Sequence, residues 1–188
     1  MELKKGLTFV AVGFLLTLVN LNLNFNGRSV NVMPAFVGWI LLLLANYKLG
    51  DYVNDRSYLK ILAPIMVVMT SAIYVMEFVM PGKALTTMQS IVPFVSTLYT
   101  FFLCGALEKV AQDYKSPRGA TLHLLKYMDL ALVFVMNGLA LLLLAIKSTK
   151  AVGVLAMVVL FLAIAALFVA IALVVALFRL RSDVSKQL

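Results

Sequence analysis

Six apolar stretches follow one another along this chain, each separated from the next by a short polar connection. Each is about the length that crosses the hydrocarbon core of a bilayer, roughly 17–25 residues. That repetition constrains the fold more than any motif does. The predicted spans are residues 7–23, 32–49, 59–80, 84–107, 122–146 and 151–178 of a single transmembrane domain covering 1–188. The fold class expected is all-α, a polytopic integral membrane bundle of six transmembrane helices. The sixth stretch is the longest and is expected to tilt or protrude.

Composition supports lipid as the solvent. The chain is 63% hydrophobic and only 13% charged, whereas a soluble domain is about half apolar and about a quarter charged. The net charge of +8 would point to nucleic acid in a soluble protein, but here the basic residues lie between apolar runs. Assigning the connections alternately to two sides puts Lys4, Lys5, Lys48, Arg56, Lys60, Lys109, Lys115, Arg118, Lys126, Arg179, Arg181 and Lys186 on one side. Arg28, Lys83, Lys147 and Lys150 fall on the other. The side richer in Lys and Arg is cytoplasmic. Both termini are therefore expected in the cytoplasm, with the protein multi-pass in the cell membrane and with no nucleic-acid partner. A secretory signal is the rival reading of residues 1–23. No Ala-x-Ala site follows that segment, which favours an uncleaved helix.

Between the first two spans lies the most polar stretch of the far side, Asn20-Leu-Asn-Leu-Asn-Phe-Asn26-Gly-Arg28, followed by Asn31 and Pro34. Asn31 is the expected N-cap of the second helix, with Pro34 in its first turn. The asparagines admit two local geometries. On a helix, Asn20/Asn24 and Asn22/Asn26 form pairs facing different ways. On an unwound segment all four share one side, opposite Leu21, Leu23 and Phe25. They also admit two roles, a water-satisfied helix end at the interface or a polar lining that holds a solute or lipid headgroup. Amides both donate and accept, and Arg28 adds an anion contact.

Glu77 lies near the far end of the third span, and Gln89 lies at similar depth on the fourth. A carboxylate at membrane depth is costly unless paired. Glu77 is either in an ion pair with Arg28 or Lys83 or part of a ligand or proton site. The candidate ligand-binding set is therefore Asn22, Asn24, Asn26, Arg28, Glu77 and Gln89, converging on an outward recess for a small polar solute or headgroup. Within the fifth span, Asn137 is expected to hydrogen-bond another helix. Lys126 and Asp129, three residues apart, read as an intrahelical pair. In the sixth span Ala166/Ala170 and Ala172/Ala176 are each four residues apart. They permit close helix approach, either within the protein or to another subunit or a second copy.

Enzyme templates are missing: there is no Gly-x-Ser-x-Gly, no His-Glu-x-x-His and no P-loop. Cys104 and His123 are the only residues of their kinds, so neither a metal site nor a cofactor is expected. The stretch Asn31-Val-Met-Pro34-Ala-Phe-Val-Gly38-Trp39 resembles the second helix of small integral membrane proteins of Firmicutes, in which an acidic residue usually stands where this chain has Asn31. In size and helix count the chain is similar to the substrate-binding subunits of energy-coupling-factor importers. The outward polar cluster points to a non-enzymatic solute-binding or transport-related subunit, and an intramembrane enzyme is the reading that the missing templates leave last. The alternative is a structural or regulatory partner of another membrane protein.

Overall fold

The computed structural model describes residues 2–19, 22–25, 28–31, 34–54, 57–79, 83–145 and 149–187. Apart from one short hairpin, its elements are helices: α1 (Glu2–Leu18), β1 (Asn22–Phe25), β2 (Arg28–Asn31), α2 (Ala35–Leu49), α3 (Asp51–Asn54), α4 (Ser57–Val79), α5 (Lys83–Asp113), α6 (Arg118–Ala145) and α7 (Thr149–Ser185). Four of them, α4, α5, α6 and α7, are long and apolar enough to cross a membrane. α1 and α2 have 17 and 15 residues, and at roughly 1.5 Å per residue they span about 25 and 23 Å.

The first predicted span thus ends, and the second begins, differently from expectation. α1 stops at Leu18, and residues 22–25 pair antiparallel with residues 28–31, Asn22 opposite Asn31 and Phe25 opposite Arg28. The cause is the period of the sequence. Asn-Leu-Asn-Phe repeats every two residues, the period of a strand, and asparagine is a poor helix former. Asn31 ends β2 and is no N-cap; Pro34 holds that position, with φ −67° and ψ 134°.

At the other end most helices outrun their predicted spans: α1 starts already at Glu2 and α4 at Ser57. α5 continues to Asp113, α6 starts already at Arg118, and α7 continues to Ser185. Charge takes a helix out of hydrocarbon without breaking it, so Glu108, Lys109, Arg179 and Arg181 stay helical beyond the apolar run.

The six long helices form a closed ring. α1 packs on α2, α2 on α4, α4 on α5, α5 on α6 and α6 on α7, and α7 returns to α1. Glycines let α1 and α2 approach closely. A Cβ on Gly38 would lie 2.7 Å from the Gly13 carbonyl oxygen and 2.7 Å from Thr17 Cγ2, and one on Gly13 would lie 3.0 Å from the Gly38 carbonyl oxygen. Both chain termini share one end of the ring. Glu2 pairs with Lys48 at the end of α2, and Lys48 with its neighbours holds that carboxyl below its ordinary range. Ser116 donates to Asp183 at 2.7 Å, and Gln187 donates to the Tyr114 carbonyl at 2.7 Å.

Packing is uneven along the ring axis. The terminal end holds a tight core that includes Leu7, Leu49, Leu59, Leu107, Leu122 and Leu180. Toward the far end it stops. Among the described residues, burial in α4 ends at Thr70 and in α6 at Lys126, and it begins in α5 at Thr97 and in α7 at Val169. The outward surfaces are strongly apolar: Phe161, Phe168 and Val68 are about two-thirds exposed or more. That is how a surface solvated by lipid tails differs from one solvated by water.

Candidate functional site

Where the packed half ends, the ring encloses a cavity of about 420 Å³. All six long helices contribute to its wall. α1 supplies Phe14 and Thr17, α2 supplies Trp39, and α4 supplies Thr70. α5 presents Pro93, Ser96, Thr97 and Thr100, α6 presents Asp129 and Val133, and α7 presents Ala166, Ala170 and Leu173. The wall is mostly apolar, with one carboxylate and a set of hydroxyls. This is the usual composition of a small-molecule site.

Asp129 is the one charged group among the described residues of that wall. It lies on α6 (Arg118–Ala145), eleven residues after its start, where Thr97 of α5 reaches it. Its expected intrahelical partner is engaged elsewhere. Lys126 Nζ stands 2.6 Å from Glu108 Oε1 on α5, an oxygen with no other partner among the described residues. It also lies 5.3 Å from the Phe101 ring centroid and 5.2 Å from that of Tyr127. His123 Nδ1 is 3.3 Å from the second oxygen of Glu108. Asp129 accepts a hydrogen bond from Thr97 and has no ion-pair partner among the described residues.

The threonine protons of the cavity are already spent. Thr17 donates to the Phe14 carbonyl at 2.8 Å, Thr70 to Met66 at 2.6 Å, and Thr100 to Ser96 at 2.9 Å. What these hydroxyls still offer a ligand is lone pairs. Pro93, inside α5, has no N–H, so the Gln89 carbonyl lacks its helical donor.

Toward the far end a second recess, of about 220 Å³, adjoins the first and shares Ala35, Thr70, Val92 and Pro93 with it. Glu77, Gln89 and Tyr74 complete its wall. Gln89 Nε2 donates to Glu77 Oε1 at 3.3 Å, so two of the six expected site residues do meet. Pro34, directly after the hairpin region, borders the same recess. Asn26 and the side chains of Asn22, Asn24, Arg28 and Lys83 lie outside the described residues.

Below the cavity, toward the termini, the ring is closed by a buried polar cluster that no sequence motif marks. Asn46 Nδ2 donates to the Leu59 carbonyl at 3.0 Å, and Tyr99 donates to Asn46 Oδ1 at 3.1 Å, with the Leu42 carbonyl 3.3 Å away as a second acceptor. Trp39 packs edge-on against Tyr99 with centroids 5.1 Å apart. Asn46 is a polar residue inside a predicted span, and that was the available signal. Asn137, by contrast, donates back to Val133 of its own helix at 2.7 Å and makes no cross-helix bond among the described residues. The alanine stripe of α7 divides: Ala166 and Ala170 line the cavity, Ala176 is buried, and Ala172 faces outward.

No protein-family model matches the chain, no curated protein matches its sequence, and no solved structure matches it.

Proposed function

We propose that this is a non-enzymatic, six-span membrane protein that binds a small polar solute in its central cavity and admits it from the face opposite its termini. The observation that carries the reading is the uneven packing. The ring is sealed on the terminal side by Asn46, Tyr99 and Trp39 and loses its core on the other side, where the Glu77–Gln89 recess adjoins the cavity. A solute site open to one face and closed to the other is one state of a transport cycle. In this reading the Asn46–Tyr99 cluster is the inner seal.

The charge distribution orients it. Alternating the connections along the sequence assigns twelve of the sixteen Lys and Arg residues to the terminal end, and such an end stays in the cytoplasm. α1 and α2 cross with the help of the hairpin. Its free strand edges cannot rest in hydrocarbon, so it sits at the outer interface, where water pairs them.

Cysteine accessibility tests the reading. Cys104 is fully buried and can be replaced by Ala. Single cysteines at Ser29 and Ser96 should then react with a small impermeant thiol reagent added outside cells. A cysteine at Gln112 should react only after the membrane is opened. Labelling of Gln112→Cys from outside would reverse the topology. A Ser96→Cys protein that reacts only from the cytoplasmic side would remove the outward cavity.

A further inference from the structure

The structure assigns the central cavity to a small organic cation carrying N–H donors, an alkylammonium, with Asp129 as its counter-ion. This rests on the reading of the protein as a solute-binding membrane protein, and it names the class of solute.

Charge is the first argument. The protein has a net charge of +8, yet among the described residues the charged ones lining the cavity and its adjoining recess are Asp129 and Glu77. Among the described residues no Lys or Arg lines either wall. Lys126, one turn from Asp129, is held by Glu108 of α5. A solute passing the recess therefore meets one carboxylate at the mouth and another at the centre. Acidic groups along a membrane path select cations.

Hydrogen-bond capacity is the second argument, and it is independent of charge. Thr17, Thr70 and Thr100 give their protons to their own helices, and Thr97 gives its proton to Asp129. Four hydroxyls and a carboxylate that accept, against the Ser96 hydroxyl, which can accept or donate, and the Trp39 indole N–H, make a described wall richer in acceptors than in donors. An anion or a carbonyl-rich solute would leave these acceptors unmatched, at the cost of buried unsatisfied groups. An ammonium supplies up to three donors.

Size and surface are the third. About 420 Å³ holds a compact ligand of a few to a dozen heavy atoms. Most of the rest of the wall is apolar and includes the aromatic rings of Trp39 and Phe14, against which a cation's hydrocarbon body can pack. A bare metal ion would use none of that surface.

Trp39 is the only tryptophan in the chain and lines the cavity, so its fluorescence reports occupancy. Purified protein in a neutral detergent should be titrated with cyclohexylammonium, cyclohexanol and cyclohexanecarboxylate, compounds of similar shape that differ in charge. Cyclohexylammonium should change Trp39 emission saturably and raise the unfolding temperature. The alcohol and the carboxylate should require at least about tenfold higher concentration, the loss expected when a buried charge pair is not made. Asp129→Asn should abolish that preference, and Asp129→Glu, which keeps the charge, should retain it. If the asparagine variant fails to fold, the ranking of the three compounds on the unsubstituted protein still decides. Equal binding of alcohol and ammonium, or tighter binding of the carboxylate, overturns the cation assignment while leaving a solute site in place. No response to any of the three overturns it as well. Outside labelling of Ser96→Cys in that case would show that the outward cavity itself stands.

Discussion

Tyr99 of α5 and Asn46 of α2, 53 residues apart in sequence, are joined by a 3.1 Å hydrogen bond in the buried centre of the ring. The same asparagine donates to the Leu59 carbonyl of α4, so one side chain ties three helices at the level where packing begins. Tyr99→Phe removes only the hydroxyl and leaves Asn46 Oδ1 without its donor. A buried group left unsatisfied costs about 1–3 kcal/mol. The variant should unfold at lower temperature, and Cys104, fully buried on the same helix, should become reactive to a permeant maleimide under native conditions. Unchanged stability together with an unreactive Cys104 would mean that the cluster does not seal the inner half.

The α1–α2 crossing depends on the absence of side chains. Gly38→Ala adds one carbon, 2.7 Å from a backbone oxygen and 2.9 Å from the Thr17 backbone nitrogen. Neither can swing aside as a side-chain tip could. Overpacking of this kind costs about 1–3 kcal/mol, and the variant should show it as reduced thermal stability in detergent. Gly138→Ala serves as the control, since a Cβ there meets nothing within 4 Å. It should match or exceed the parent, because alanine favours the helix by about 1 kcal/mol over glycine. If both variants lose the same stability, the close crossing is not the cause.

Hydropathy located the four long helices α4 to α7 well, since a run of apolar residues is a one-dimensional property. Their ends were less legible, because Glu108 or Arg179 marks where the lipid stops and not where the helix does. The asparagine stretch offered both a helical and an alternating reading, and the strand period won. The pairing of Glu77 with Gln89 could be anticipated, as both fall at the same depth on consecutive spans. Asp129 could not be placed by spacing alone. Lys126 stood three residues before it on the same helix, and only the approach of Glu108 from α5 shows that this lysine is taken. The seal was equally hidden: Asn46 stands beside Tyr47 and Lys48 and looks like part of a helix end until Tyr99 is brought to it from another helix.

At the terminal end, Tyr52 of α3 donates to Asp113 of α5. Its phenol is pushed up to about 12, chiefly by burial and then by the hydrogen bond and charge of Asp113. A folded-state pKa above the ordinary value of 10 favours the neutral phenol in the folded protein. The stability it contributes is present below pH 10 and is lost as pH rises from 10 through 12. Tyr52→Phe should therefore flatten the alkaline fall in unfolding temperature across that window and delete one late-titrating phenolate from the absorbance titration. A wild-type titration in which every accessible tyrosine ionises near pH 10 would contradict the burial of Tyr52.

The last prediction contrasts volume with packing. Ala170 belongs to a stripe of small residues that would ordinarily mark a tight helix contact, where a leucine would be expensive. In this ring Ala170 is half-buried and lines the cavity of about 420 Å³, so Ala170→Leu has space to enter. Its three added carbons should fill part of the cavity near Asp129 and Thr97 without forcing the backbone apart. Thermal stability should stay within about 1 kcal/mol of the parent, less than the overpacking cost expected at Gly38. Saturable ammonium binding read from Trp39 should fall by tenfold or more, because the ligand and the new side chain compete for one volume. Ala172→Leu, on the outward face of the same helix, should change neither property. A strong loss of stability at Ala170 with binding intact would mean that α7 meets its neighbours there in a closed contact and that the solute site lies elsewhere.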